Sequence, residues 1–137
     1  MIKKQFITWT KAVSVGIAII DNQHRELFRV INDVHNHEKN SDLSYLNATL
    51  TELIELTRVH FTTEENYFRR FKYPEATEHI VEHEKMILKV LQFKIRFDQE
   101  GAKILPDLLS FLREWWDTHL KIEDHKYAAY FKEKGYI

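Results

Sequence analysis

Apolar residues recur along most of this chain at intervals of three and four, the spacing that gathers side chains onto one face of an α-helix. After an irregular arm through Ile20, Asp21 stands where it can cap a first helix, and His24, Leu27, Phe28, Ile31 and Val34 fall on one face of it. A polar turn, HEKNSD, leads to Ser41 or Asp42 as the cap of a second helix, whose inner stripe is Leu46, Leu50, Leu53, Thr57, His60, Glu64, Phe68 and Phe71. KYP ends that helix, because Pro74 disfavours helical backbone at Tyr73 yet suits the first turn of a third helix. The third helix runs to about Phe97 with His79, His83, Ile87, Val90 and Leu91 on its stripe, and after QEGAK a fourth carries Leu105, Leu108, Leu112, Trp115, His119 and Ile122. Four such helices joined by short turns predict an all-α fold, an up-down-up-down antiparallel four-helix bundle. Residues 1–20 form its N-terminal arm, residues 21–137 the bundle, and the 137 residues one domain.

The inner stripes should be aliphatic, yet on all four helices they are interrupted by groups that bind metals. His60 and Glu64 are four residues apart, as are His79 and His83, so each pair sits one turn along a single face. One such pair is ordinarily a salt bridge, and a lone His24 or His119 an ordinary core histidine. Their number changes the reading, because burying so many ionisable groups is costly unless a cation compensates them. Asp124 fits least well: five residues beyond His119, it lies roughly 140° around an ideal helix and reaches the same point only through a second metal or a local distortion.

The chain has no cysteine, which removes disulfides, thiolate metal sites, iron–sulfur clusters and cysteine nucleophiles and leaves His, Asp and Glu to hold any metal. Five imidazoles and two carboxylates are too many for one ion and suit two ions about 3.5–4 Å apart with shared carboxylates. An imidazole-rich set favours iron over magnesium or calcium, while zinc, copper and nickel compete by affinity. Lys and Arg number 20 against 21 Asp and Glu, a net charge of −1 with no long like-charged block, so nucleic acid is not an expected partner. AVSVGIAII, residues 12–20, has the length of a signal-peptide core but is followed by DNQHRELF rather than a small-residue cleavage site, and it is too short to cross a membrane. The expectation is a soluble, cytoplasmic monomer without a membrane partner.

The segments DNQHRELF, HFTTEE, HIVEH and HLKIED, in this order and at these separations, resemble the motif set of the hemerythrins, and ITWTKAVSVGIAIID resembles the N-terminal arm of the single-domain bacterial members. The resemblance spans essentially the whole chain. It implies a non-enzymatic protein that binds dioxygen reversibly at a non-heme di-iron centre, for carriage, storage or scavenging. By that resemblance His79, His83 and His119 hold one iron, His24 and His60 the other, and Glu64 and Asp124 bridge them together with an oxide or hydroxide. The iron with two histidines keeps the position for oxygen, and Leu27, Phe61, Trp115, Trp116 and Leu120 are candidates to line a dry pocket there or simply to pack the core. His35, His37 and His125 lie outside the motifs.

Three other functions use parts of the same pattern. A ferritin-like oxidase would carry Glu-x-x-His pairs, and the chain has none. A zinc hydrolase is suggested by HIVEH, which matches the inverted H-x-x-E-H form with Glu82 as base, but leaves His24, His60, Glu64 and His119 without a shared purpose. An oxygen or redox sensor would use the same di-iron site and act through a separate partner.

Overall fold

The computed structural model describes residues 5–39 and 42–137. Three long helices come first: α1 (Ala18–His37), α2 (Leu43–Phe71) and α3 (Ala76–Glu100). The fourth rod is composite. It begins with a 3₁₀ turn (Gly101–Ile104), continues as α4 (Leu105–Thr118), passes through a π-helical segment (His119–Asp124) and ends as α5 (His125–Glu133). Neighbours in sequence pack side by side, and the fourth rod closes the bundle against α1 and α3.

The apolar stripes meet on the bundle axis. Leu27, Ile31 and Val34 of α1, Leu46 and Leu53 of α2 and Leu105 and Leu112 of α4 are fully enclosed. Asp42 caps α2, its carboxylate accepting a hydrogen bond from the Tyr45 backbone N–H at 3.0 Å, while Ser41, the other candidate cap, lies outside the described residues. At the other end of α2 the chain turns through Lys72, whose left-handed φ of 52° breaks the helical repeat, and the Tyr73 N–H bonds back to the Phe68 carbonyl. Pro74 lies in this turn, so α3 starts at Ala76 and not at the proline.

Three further expectations are corrected. The first concerns Asp21, which does not cap α1: the helix begins at Ala18, so the arm ends at Ile17, and Asp21 sits buried within the first turn. Its carboxylate instead reaches back to the arm, accepting from Ser14 Oγ at 2.5 Å and the Val15 N–H at 2.9 Å. The second concerns α3, whose buried line runs His79, His83, Met86, Val90, Phe93 and Phe97, with Ile87 and Leu91 only half-buried beside it. The spacing fits both lines, and the larger aromatic area of Phe93 and Phe97 wins the interior. The third concerns Ile122, which is 51% exposed because it lies within the π-helical segment, where the angular step per residue is smaller than in an α-helix.

The arm is pinned across the bundle. Asn32 exchanges two hydrogen bonds with the Ile7 backbone, and the Arg113 guanidinium donates to the Phe6 carbonyl while lying 3.6 Å from the centre of its ring. His35 stacks on Phe6, and His125 joins Lys121 to Ser14 through their carbonyls, so both are structural. Asp21→Ala leaves the Ser14 and Val15 donors without their acceptor and should cost about 1–3 kcal/mol. Thermal unfolding should register this as a clear fall in Tm, whereas exposed Asn22→Ala should stay near wild type.

Candidate metal centre

Each of the four rods delivers at least one donor to the middle of the bundle. His24 comes from α1, His60 and Glu64 from α2, His79 and His83 from α3, and His119 and Asp124 from the π-helical segment; none is more than 4% exposed. The i,i+4 pairs on α2 and α3 converge as a regular helix demands. His119 and Asp124 converge because the segment between them is wider than an α-helix: one extra residue per turn brings i and i+5 into line. His119 Nε2 and Asp124 Oδ1 are 3.1 Å apart.

The donors form two groups with one shared member. Glu64, His79, His83 and His119 can offer atoms to one ion, and His24, His60, Glu64 and Asp124 to another. Glu64 Oε1 lies 3.3 Å from His60 Nε2 and 3.1 Å from His83 Nε2. Asp124 divides its oxygens: Oδ1 faces His79 and His119 at 3.2 and 3.1 Å, and Oδ2 faces His24 at 3.3 Å. Both carboxylates therefore touch both groups.

These atoms aim past one another. Both oxygens of Glu64 and of Asp124, and Nε2 of His24, His60 and His83, are buried without an aligned hydrogen bond. Two imidazole nitrogens, His79 Nε2 and His119 Nε2, face each other at 3.1 Å, a contact that two lone pairs would resist. A metal resolves both features, since two donors about 2 Å from one ion lie about 3 Å apart at a right angle. The residues present thus fit a pair of metal ions.

Without metal, protons must balance the charge. Burial pulls the His83 imidazole down, but the adjacent Glu64 and Glu65 carboxylates outweigh it and raise the pKa to about 9. Burial likewise lowers His60, and there it prevails over Glu64. Burial and the Asp124 charge push Glu64 up, yet His60 and His83 hold it below the carboxylate range, and His119, His24 and His79 do the same for Asp124.

Sequence reasoning missed the residues behind the candidate donors. His60 Nδ1 meets Gln23 Oε1 at 2.8 Å and His83 Nδ1 meets Glu65 Oε2 at 2.9 Å. Each is adjacent in sequence to a candidate donor, His24 or Glu64, which was the signal available. Tyr127 was also missed; it is fully buried, and burial with the Glu64 and Asp124 charges pushes its phenol well above its ordinary range. Of the five candidate pocket residues, Leu27, Phe61, Trp116 and Leu120 are buried. The Trp116 ring stands 5.5 Å from His24 and 5.8 Å from His60, and Phe61 stacks on His83 at 3.7 Å. Trp115 is half-buried and stacks on His119 at 4.2 Å, lining an outer groove with Glu78, Glu82 and Glu114. Glu82, the base of the hydrolase alternative, belongs to that groove and lies 3.9 Å from Lys85, outside both donor groups.

A family model described as the hemerythrin HHE cation binding domain matches residues 15–131. The chain belongs to the hemerythrin family. It is 29% identical to the bacteriohemerythrin of Stenotrophomonas maltophilia, over 92% of this chain and 82% of that one. It is 31% identical to the bacteriohemerythrin of Clostridium acetobutylicum, over 87% and 96%. Among solved structures it superposes on wild-type hemerythrin with a TM-score of 0.83 at 26% identity, covering 90% of this chain and 95% of that one. A mutant hemerythrin gives a TM-score of 0.85 at 25% identity, covering 92% and 97%. A hemerythrin is an oxygen-binding protein with non-heme iron, and the donor set found here suits that metal. Among the described residues, no helix is long and apolar enough to cross a membrane.

The buried imidazoles of this hemerythrin tie its stability to pH. A histidine whose folded pKa is raised stabilises the fold below its unfolded value, and that stability is lost as pH climbs through the folded value. His60 acts oppositely, and only below about pH 6.5. Between pH 6.5 and about 9 the His83 slope therefore prevails, and the Tm of metal-free protein should fall across that window. Metal-loaded protein should not share this decline, because metal needs the imidazoles deprotonated; equal slopes would refute the assignment. A second prediction tests the π-helical segment. Deleting exposed Lys121 lets it relax to an α-helix in which His119 and the aspartate become i,i+4, so folding and iron content should survive. Deleting Glu114 from α4 rotates His119 and all residues beyond the deletion by about 100° and should abolish iron binding.

Proposed function

We propose that this chain holds two non-heme irons and binds dioxygen reversibly, for carriage, storage or scavenging rather than for turnover. One observation carries the reading: two sealed donor groups share Glu64, while Asp124 turns one oxygen to each side. In this reading His79, His83 and His119 hold one iron and His24 and His60 the other, with Glu64, Asp124 and an oxide or hydroxide between them. The iron pair would supply the electrons that hold dioxygen and take them back on release.

The protein's own part is selection and exclusion. His24 and His60 provide one imidazole fewer than the other side, which leaves room for a ligand there. Trp116, packed against both rings, narrows that room, and in this reading the buried Leu27, Phe61 and Leu120 complete an apolar wall that would admit only something small and keep water out. No side chain in this wall offers a general base, which suits binding without turnover.

The experiment is an optical spectrum of anaerobically reduced protein before and after oxygen is admitted, with iron counted in the same sample. The expected result is two irons per chain, about one dioxygen taken up per pair and its recovery under vacuum. Glu64→Ala and Asp124→Ala should each lower iron retention at least tenfold, while His35→Ala should not. Steady consumption of oxygen to water, or catalytic oxidation of an added organic compound, would overturn the assignment.

A further inference from the structure

An imidazole that turns Nε2 toward the centre of the bundle leaves Nδ1 to be satisfied from behind. Two of the five have a side-chain acceptor there, one in each donor group, and the acceptors differ in charge. Behind His60 stands Gln23, neutral, and its orientation is fixed by a relay. Thr63 Oγ1 donates to the Val59 carbonyl at 3.0 Å, so its oxygen is free to accept from Gln23 Nε2 at 3.0 Å, which turns Gln23 Oε1 toward His60. His60 is thereby held as the Nδ1–H tautomer with its Nε2 lone pair facing inward. Behind His83 stands Glu65, a carboxylate at 2.9 Å whose side chain is 28% exposed.

A carboxylate draws the Nδ1 proton more strongly than an amide oxygen does, and leaves more negative charge on Nε2. The imidazole becomes a stronger donor, and a more charged cation gains more from it than a less charged one. Gln23 gives His60 the orientation without the charge. The polarity of the two supports is thus set by one atom, the nitrogen in Gln23 where Glu65 has oxygen.

Building on the two-iron reading, we propose that Glu65 is a positioning residue that acts through His83 to favour the ferric over the ferrous state of the iron held with His79 and His119. Gln23 is its neutral counterpart on the His24 and His60 side. The step concerned removes one electron from that iron, to dioxygen in use or to an added oxidant in a titration. The outcome is a built-in order, in which the side with more histidines oxidises more readily.

The test is a mediated spectroelectrochemical titration of iron-loaded protein, with iron counted in each variant. Glu65→Gln keeps the shape and an acceptor oxygen and removes only the charge. It should retain both irons and weaken the ferric preference about tenfold, raising the first midpoint by about 59 mV. Gln23→Glu should lower the midpoint of the other iron, and Glu65→Asp, which restores the charge, should return the first midpoint toward wild type. A purely structural role for Glu65 would change iron content or Tm with no ordered shift in midpoint. If Glu65→Gln loses iron, Gln23→Glu still decides, since it places the same charge behind His60, and an unshifted midpoint there would overturn the proposal. Two irons with midpoints indistinguishable from wild type would overturn the proposal and leave the di-iron reading standing. Wild-type protein that takes up no iron would overturn both.

Discussion

Seven ionisable side chains buried within a few ångströms of one another are the condition to which the rest of this molecule is fitted. Carboxylates and imidazoles so enclosed are costly to hold unless positive charge lies among them. Protons can supply it, as at His83, where the Glu64 and Glu65 carboxylates favour the protonated ring, and metal ions can supply more of it to atoms that already converge. The donors sit mid-bundle because that is where four helices can each contribute and none need expose its contribution. The aliphatic core at one side and the aromatic cluster of Phe68, Tyr73, Tyr127 and Phe131 at the other hold those four helices in fixed register. Apolar packing stabilises the bundle; the polar centre specifies its alignment.

The π-helical segment is the concession that an otherwise regular fold makes to this centre. Three helices deliver donors at ordinary helical spacing, and the fourth must widen by one residue to bring Asp124 beneath His119. Less favourable backbone geometry is accepted where the gain is a carboxylate with one oxygen for each donor group. The same change turns Ile122 outward, so one local distortion explains both a ligand that ideal geometry excludes and an apolar residue left in solvent.

Family membership and local geometry inform different parts of the functional reading. Membership supplies the class, an oxygen-binding protein with non-heme iron. Geometry supplies the inequivalence of the two sides: three imidazoles against two, a charged support against a neutral one, and a tryptophan wall beside His24 and His60. The reversible binding proposed above rests on that inequivalence, because a small ligand would need one side left incomplete and a dry surrounding that admits little else.

The sequence by itself determined the elements and the donors. Spacings of three and four are a property of the α-helix alone, so the four segments, their inner faces and the i,i+4 pairs His60–Glu64 and His79–His83 could be read without any knowledge of neighbours. It also narrowed the chemistry, since a chain without cysteine has no thiolate to offer a metal. Only the tertiary structure decided matters that depend on another element. Asp21 reads as a cap until the arm folds back to meet it, and Met86 and Phe93 displace Ile87 and Leu91 only when α3 is laid against its neighbours. Asp124 joins His119 only through a departure from the helix that periodicity assumes. Gln23 and Glu65 were visible as polar neighbours of ligands, but their roles lie in hydrogen bonds that span 37 and 18 residues of sequence. Periodicity describes one helix at a time, whereas a support behind a ligand is made between two.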